Sequence, residues 1–264
     1  MRTERRTGQP SRDLMELRTL AVDQAGVQLR AADDGGSRFA GLAAVYGVRA
    51  PIGNPRTWGF FEEFAPGAAA RTLAEFDQRM LIDHDTYYLV SRVSAGDLIL
   101  TETDRGIEVD SGLDDELSYV RDLRRNIEKR RITGMSIGFW VAPGGAEWTE
   151  IEVEEPRADG KVEVYTADLR IIRDIDLIEV SAVTFPAYVD TEAQLRQVVP
   201  ALLNRGDYDA IERRAAHREE LRDLLKQVER PASQPPAAVR HTDHVDRVMR
   251  GYQARYRRLG NPAR

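Results

Sequence analysis

The stretch Gly134-Met135-Ser136-Ile137-Gly138-Phe139-Trp140-Val141 decides the fold class. Its first five residues match G-x-S-x-G, the strand-to-helix elbow that exposes a nucleophilic serine in α/β-hydrolases. Two features argue against that fold. The following residues, Phe139-Trp140-Val141-Ala142-Pro143-Gly144, read as strand and then turn, not helix. The histidine that must follow the serine could only be His217, His241 or His244, all in a polar tail. As a strand, the segment puts Met135, Ile137 and Phe139 on one face and Gly134, Ser136 and Gly138 on the other. Ser136 then has no side chain beside it on its own face, which leaves room for a substrate backbone. The alternative is an ordinary serine in a glycine-rich strand.

Outward from this strand, the pattern stays mainly β. Short apolar runs at 17–20, 27–30 and 39–46 are separated by Gly/Asp turns. Residues 60–64 lead to Pro66-Gly67 and a helix over 68–76. Residues 79–84 and 98–101 read as strands, as do 106–110 after the turn Asp104-Arg105-Gly106. Residues 114–131 read as a helix capped by Asp114 or Asp115, with Leu117, Val120, Leu123, Arg124 and Ile127 on a partly apolar face. Residues 134–141 and 171–185 read as long strands, and the Gly-, Pro- and Glu-rich 142–160 as an exposed loop or hairpin. No strand–helix alternation regular enough for a parallel α/β sheet is present. The expected class is mainly β with flanking helices (α+β), an antiparallel sheet or barrel.

Composition bounds the function. The chain has 264 residues, 42% hydrophobic and 31% charged, enough for a sizeable core. No apolar run approaches the ~20 residues of a membrane helix. The polar start Met1-Arg2-Thr3-Glu4-Arg5-Arg6 gives no expectation of a secretory signal. With no cysteine, disulfide frameworks, thiolate metal sites and cysteine nucleophiles are excluded. Residues 1–192 carry a net charge of −12 and residues 193–264 carry +6. An acidic body does not suit nucleic-acid binding. Three parts are expected: a disordered arm over 1–13, a domain over 14–195, and a helical tail over 196–264. The tail has amphipathic segments at 205–229 and 241–259, interrupted by 231–236.

Two further residues carry chemistry. His84 is the only histidine of the body, and alternation through Met80-Leu81-Ile82-Asp83-His84-Asp85 puts it on a face with Met80 and Ile82. It can be a general base, a satisfied core histidine, or a metal ligand with Asp83 and Asp85. Adjacent strand residues diverge, which disfavours the metal. In the strand Asp174-Ile175-Asp176-Leu177-Ile178-Glu179-Val180-Ser181-Ala182-Val183, Glu179 falls on a face with Ile175, Leu177 and Val183, and Asp176 lies opposite with Ile178 and Val180. A carboxylate among apolar neighbours needs a partner. That partner is either an arginine or a histidine that the carboxylate orients. The order His, Ser, acid differs from that of α/β-hydrolases, chymotrypsin-like and subtilisin-like enzymes.

At these residues the sequence resembles the HK97-type prohead proteases of tailed phages, the capsid-maturation serine proteases. Five blocks carry the resemblance in order: Phe39-Ala40-Gly41-Leu42-Ala43-Ala44-Val45-Tyr46; Phe61-Glu62-Glu63-Phe64-Ala65-Pro66-Gly67-Ala68; Asp83-His84-Asp85; Gly134 to Phe139; and Leu177 to Val183 with Phe185-Pro186-Ala187. Ala69 replaces the family's usual aromatic. The resemblance implies an assemblin-like closed β-barrel surrounded by helices, often dimeric. It implies Ser136 as nucleophile, His84 as general base and Glu179 as the orienting acid, with Asp176 as second choice. Oxyanion donors are implied near Phe185–Val189, and the long acidic region Trp148–Tyr165 is placed at the substrate groove. No cofactor and no metal are expected. The implied substrate is the scaffolding segment of the major capsid protein, cut inside the procapsid in the host cytoplasm, together with the protease itself at its arm or tail. The tail is expected to target the shell or act as a scaffold-like extension. No specific nucleic acid and no membrane are expected as partners. The alternative function is a catalytically silent scaffold or assembly protein on a protease-like fold.

Overall fold

The structure, a computed structural model, describes residues 15–20, 22–32, 35–157, 159–185, 198–203, 205, 208–217 and 222. The arm over 1–13, residues 186–189 of the expected oxyanion segment, and the tail segments 231–236 and 241–259 lie outside the described residues. So does the unit Asp223–Arg264 as a whole.

Strand is the commonest element of the described chain. The elements are β1 (Glu16–Thr19), α1 (Val22–Ala25), β2 (Gln28–Ala31), β3 (Ser37–Val45), β4 (Ala50–Ile52), β5 (Phe60–Phe64), α2 (Ala70–Glu75), β6 (Arg79–Ile82), β7 (Asp85–Arg92), β8 (Leu98–Thr103) and β9 (Gly106–Leu113), then α3 (Ser118–Glu128), β10 (Gly134–Val141), β11 (Ala146–Pro156), β12 (Val162–Ile172), β13 (Ile175–Val183) and α4 (Tyr208–Ala215). The strands form three sheets in the orders β1-β10-β13-β6-β7, β11-β12-β5-β4 and β2-β3-β9-β8. Two ladders are parallel, β13 on β6 and β12 on β5; all others are antiparallel.

The mainly β class holds, but no barrel closes among the described strands. Closure needs every edge strand to find a hydrogen-bonded neighbour, and here the sheets end on β1 and β7, β11 and β4, and β2 and β8. Side chains join them instead. Phe64 of β5 meets Phe139 of β10 edge to face, with ring centroids 5.4 Å apart. The core draws Phe39 and Ile107 from one sheet, Met80, Met135, Ile137 and Leu177 from another, and Val120, Leu123 and Ile127 from α3. These α3 positions are i, i+3 and i+7, the stripe a helix buries on one side.

Local chemistry moves two boundaries. The helix read over 114–131 begins at Ser118, because Asp114 Oδ1 accepts the Glu116 N–H (2.9 Å) in the preceding turn and caps no helix. The strand read over 171–185 breaks after Ile172. The N–H groups of Arg173 and Asp174 both turn to the Gly145 carbonyl (2.7 and 3.2 Å). Gly145 is required there, since a Cβ would lie 2.3 Å from the Asp174 oxygen. Of the two readings of 142–160, loop or hairpin, the hairpin holds: β11 runs through the segment and pairs with β12 from Ala146↔Ile172 to Pro156↔Val162.

Part of the C-terminal segment packs on this hairpin. Val198, Ala201, Leu202, Ile211 and Ala215 are buried. Arg205 donates to Asp168 of β12 (3.0 Å), Arg214 reaches the same carboxylate, and the Arg205 guanidinium lies over the Trp148 ring. No helix among the described residues is long and apolar enough to cross a membrane.

Candidate active site

The site begins with the register of two central strands. On β10, Met135, Ile137 and Phe139 enter the core, so alternation turns Ser136 and Gly138 to the other face, as read from the sequence. Across the ladder Ser136 faces Ser181 and Gly138 faces Glu179, but Phe139 faces Leu177. Ile178 is therefore an extra residue, a β-bulge, and it reverses the faces of β13. Before it, Ile175 and Leu177 point into the core; after it, Val180 and Ala182 do. This corrects the alternation reading. Glu179 does not share a face with Ile175 and Leu177; it lies with Ser181 on the side of Ser136.

Gly138 makes room for that carboxylate. A Cβ on Gly138 would lie 2.3 Å from Glu179 Oε1. The space read from the sequence as an approach for a substrate backbone is thus, at Gly138, filled by Glu179.

His84 is placed by a turn rather than by strand alternation. β6 ends at Ile82, Ile82 pairs with Asp85, and Asp83 and His84 form a two-residue hairpin loop with φ of 49° and 61°. Both lie in the left-handed region that a type I′ turn requires and that non-glycine residues seldom adopt. The strain is held by contacts to β13. Asp83 N–H donates to the Ala182 carbonyl (3.0 Å), and the Asp83 carboxylate accepts from Thr184 N–H (2.7 Å) and Thr184 Oγ1 (2.6 Å).

The turn aims the imidazole between the two strands. His84 Nε2 lies 2.8 Å from Ser136 Oγ, and Nδ1 lies 2.6 Å from Glu179 Oε1. An ionised carboxylate only accepts, so Nδ1 carries the proton and Nε2 of the neutral ring is left to accept from Ser136. Burial disfavours the imidazolium. The charge and hydrogen bond of Glu179, with the nearby Asp83, outweigh burial and hold the His84 pKa above its ordinary value near 6.5. The structure thus brings Ser136, His84 and Glu179 together. It does not bring Asp176, whose carboxylate accepts from Arg71 of α2 (2.6 Å). No group of three or more His, Asp or Glu side chains able to hold a metal ion occurs among the described residues.

Sequence reasoning read a run at 17–20 but missed that β1 lies beside Ser136, and it missed the part played by Ser181. Thr19 pairs with Ser136 and donates its hydroxyl to Ser136 Oγ (3.1 Å), and the Arg18 carbonyl, 3.0 Å from the same oxygen, is a second acceptor beside His84 Nε2 for the one Ser136 proton. Behind β1, the buried side chains of Glu16, Arg18, Glu62 and Arg170 form a balanced tetrad. Arg170 donates to Glu16 (2.6 and 2.9 Å) and Glu62 (3.1 Å), and Arg18 donates to both carboxylates (2.9 Å each). No spacing marks these four as partners; they come from three strands. Ser181, on the site face of β13, donates to Glu179 Oε2 (2.6 Å) and accepts the His84 backbone N–H (3.1 Å).

A family model described as caudovirus prohead serine protease matches residues 25–202, two thirds of the chain. The chain belongs to this family. All three residues of the hydrogen-bonded row lie inside the matched stretch, whereas β1 precedes it. Among solved structures, the bacteriophage T4 capsid assembly protease, gp21, is similar at 12% identity and a TM-score of 0.38, over 64% of this chain and 97% of that one. Among curated proteins no sequence matches this chain.

Proposed function

We propose that the chain is the capsid-maturation serine endopeptidase of a tailed phage, with Ser136 as nucleophile, His84 as general base and Glu179 as the acid that orients His84. The observation that carries this reading is the unbroken row Ser136 Oγ, His84 Nε2, His84 Nδ1, Glu179 Oε1, at 2.8 and 2.6 Å. His84 Nε2 takes the Ser136 proton as Oγ attacks a peptide carbonyl carbon. The imidazolium, paired with Glu179, gives that proton to the leaving amine as the C–N bond breaks and an acyl-enzyme forms. Water then donates a proton to His84 and hydrolyses the ester, and Ser136 regains its proton from the imidazolium. Ser136 is fully buried while the His84 side chain keeps 18% exposure, so the substrate enters from the His84 side.

The substrates are the scaffolding segment of the major capsid protein and the protease itself, cut inside the procapsid in the host cytoplasm. The chain acts there as a homodimer or higher assembly, and the tail beyond residue 195 directs it to the shell or is removed as a scaffold-like extension. Co-expression with the major capsid protein of the same virus tests this, with intact-mass analysis of both proteins for wild type and Ser136→Ala. Shortening by wild type alone supports the reading and maps the cleavage sites. Shortening by both moves the nucleophile elsewhere. Shortening by neither, with capsids still assembling, favours a silent scaffold protein.

A further inference from the structure

We infer that Ser181 is a positioning residue of this site, its single hydroxyl tying the His84 backbone to the Glu179 carboxylate. The inference rests on the roles proposed above for His84 and Glu179.

The hydroxyl does two things at once. It donates to Glu179 Oε2 at 2.6 Å and accepts the His84 N–H at 3.1 Å. Glu179 Oε1 is meanwhile taken by His84 Nδ1 at 2.6 Å. Each carboxylate oxygen thus has its own fixed donor, which sets the plane of the carboxylate. The backbone bond fixes the root of the imidazole, in a residue whose φ of 61° is costly to hold. Removing the hydroxyl frees both partners of the Nδ1–Oε1 bond together. Ser181 is fully buried and faces Ser136 across the ladder, so no water replaces the lost bonds without rearrangement. The bulge at Ile178 turns residues 179 and 181, already on one side of the strand, together toward Ser136. Ser181 touches no reacting atom; it acts through His84 and Glu179.

The test uses the full chain with Ser181→Ala, Ser181→Cys and Ser181→Thr, assayed on a peptide spanning a mapped cleavage site. Ser181→Cys keeps the volume and weakens the bonds. Ser181→Thr keeps the hydroxyl. Ala and Cys are expected to lower kcat about ten- to a hundredfold with KM within about twofold, and Thr to recover part of the loss. A Cys variant as fast as wild type, or no recovery with Thr, overturns the inference.

A second arm needs no activity. In a Ser136→Ala background, 15N NMR follows the His84 imidazole, on which the charged groups Glu179 and Asp83 act. With Ser181 present, the Nδ1–H tautomer dominates. With Ser181→Ala, the ring is expected to lose that bias and titrate at lower pH, as the carboxylate swings free. An unchanged tautomer and titration overturns the inference. A wild-type chain that cuts nothing while the NMR effect is present sinks the protease reading and leaves the positioning role standing.

Discussion

Gly138 and Glu179 face each other across β10 and β13, and the carboxylate occupies the volume a side chain at Gly138 would fill. Two adjacent strands thus solve one steric problem: a long acid lies flat against a sheet because its cross-strand neighbour is glycine. Gly138→Ala is expected to displace Glu179 and lower kcat about tenfold or more, since small misplacements of an orienting group are costly. The same substitution in a Glu179→Ala background should cost much less, because the clash is gone. A double-mutant cycle on peptide cleavage measures this; additive losses would show that Gly138 serves another purpose.

The raised pKa of His84 sets opposite pH trends for activity and stability. The base must be neutral, so kcat/KM is expected to rise with pH through a midpoint above 6.5. The imidazolium–Glu179 pair stabilises the fold fully below about pH 6.5, and that contribution is lost as pH rises through the raised folded value. Glu179→Gln removes the opposing charge and leaves burial as the larger influence. The activity midpoint should then fall, with kcat lower by about a hundredfold or more. A pH–rate profile of both proteins checks the direction; a midpoint that does not move would separate Glu179 from His84.

Asp176→Asn distinguishes the two candidate acids. Asp176 is bound to Arg71, away from His84. Its substitution is expected to leave cleavage within about twofold, while thermal unfolding falls slightly for a partly exposed ion pair. A loss as large as that of Glu179→Gln would contradict the placement.

The tetrad behind β1 is a stability element with a functional output. Arg170→Met leaves the Glu16 and Glu62 carboxylates buried with a single arginine. The expected cost is about 3–5 kcal/mol of unfolding free energy, read by denaturant titration. A cost under about 1 kcal/mol would mean the carboxylates reach water. Because β1 also presents Thr19 and the Arg18 carbonyl to Ser136, the loosened strand should reduce activity before the domain unfolds.

Ser136→Ala is expected to reduce cleavage by about four orders of magnitude or more with folding intact. Cleavage assay and thermal unfolding on one preparation check both halves.

Much of this was legible because alternation is a local property. The faces of β10 followed from Met135, Ile137 and Phe139, and with them the isolation of Ser136 on the other side. The same rule failed on β13, where one unpaired residue, Ile178, exchanges the faces without any mark in composition. It failed at His84, because Asp-His is an unusual pair for a left-handed turn and the turn is held by Ser181, Ala182 and Thr184, about a hundred residues away. It had no access to Arg170, whose partners Glu16 and Glu62 lie more than a hundred residues away.

The sequence by itself determined the residue types available for chemistry: one histidine in the body, no cysteine, a serine between glycines, and an acid on an apolar strand. It also determined the mainly β class, since strand periodicity is read from neighbours along the chain. Only the tertiary structure decided which acid meets His84, that Gly138 yields its volume to that acid, that Ser181 joins the two, and that the described sheets do not close. The reason is physical. Side-chain direction beyond a bulge or a left-handed turn depends on hydrogen bonds to distant strands, and those bonds exist only once the strands are in register.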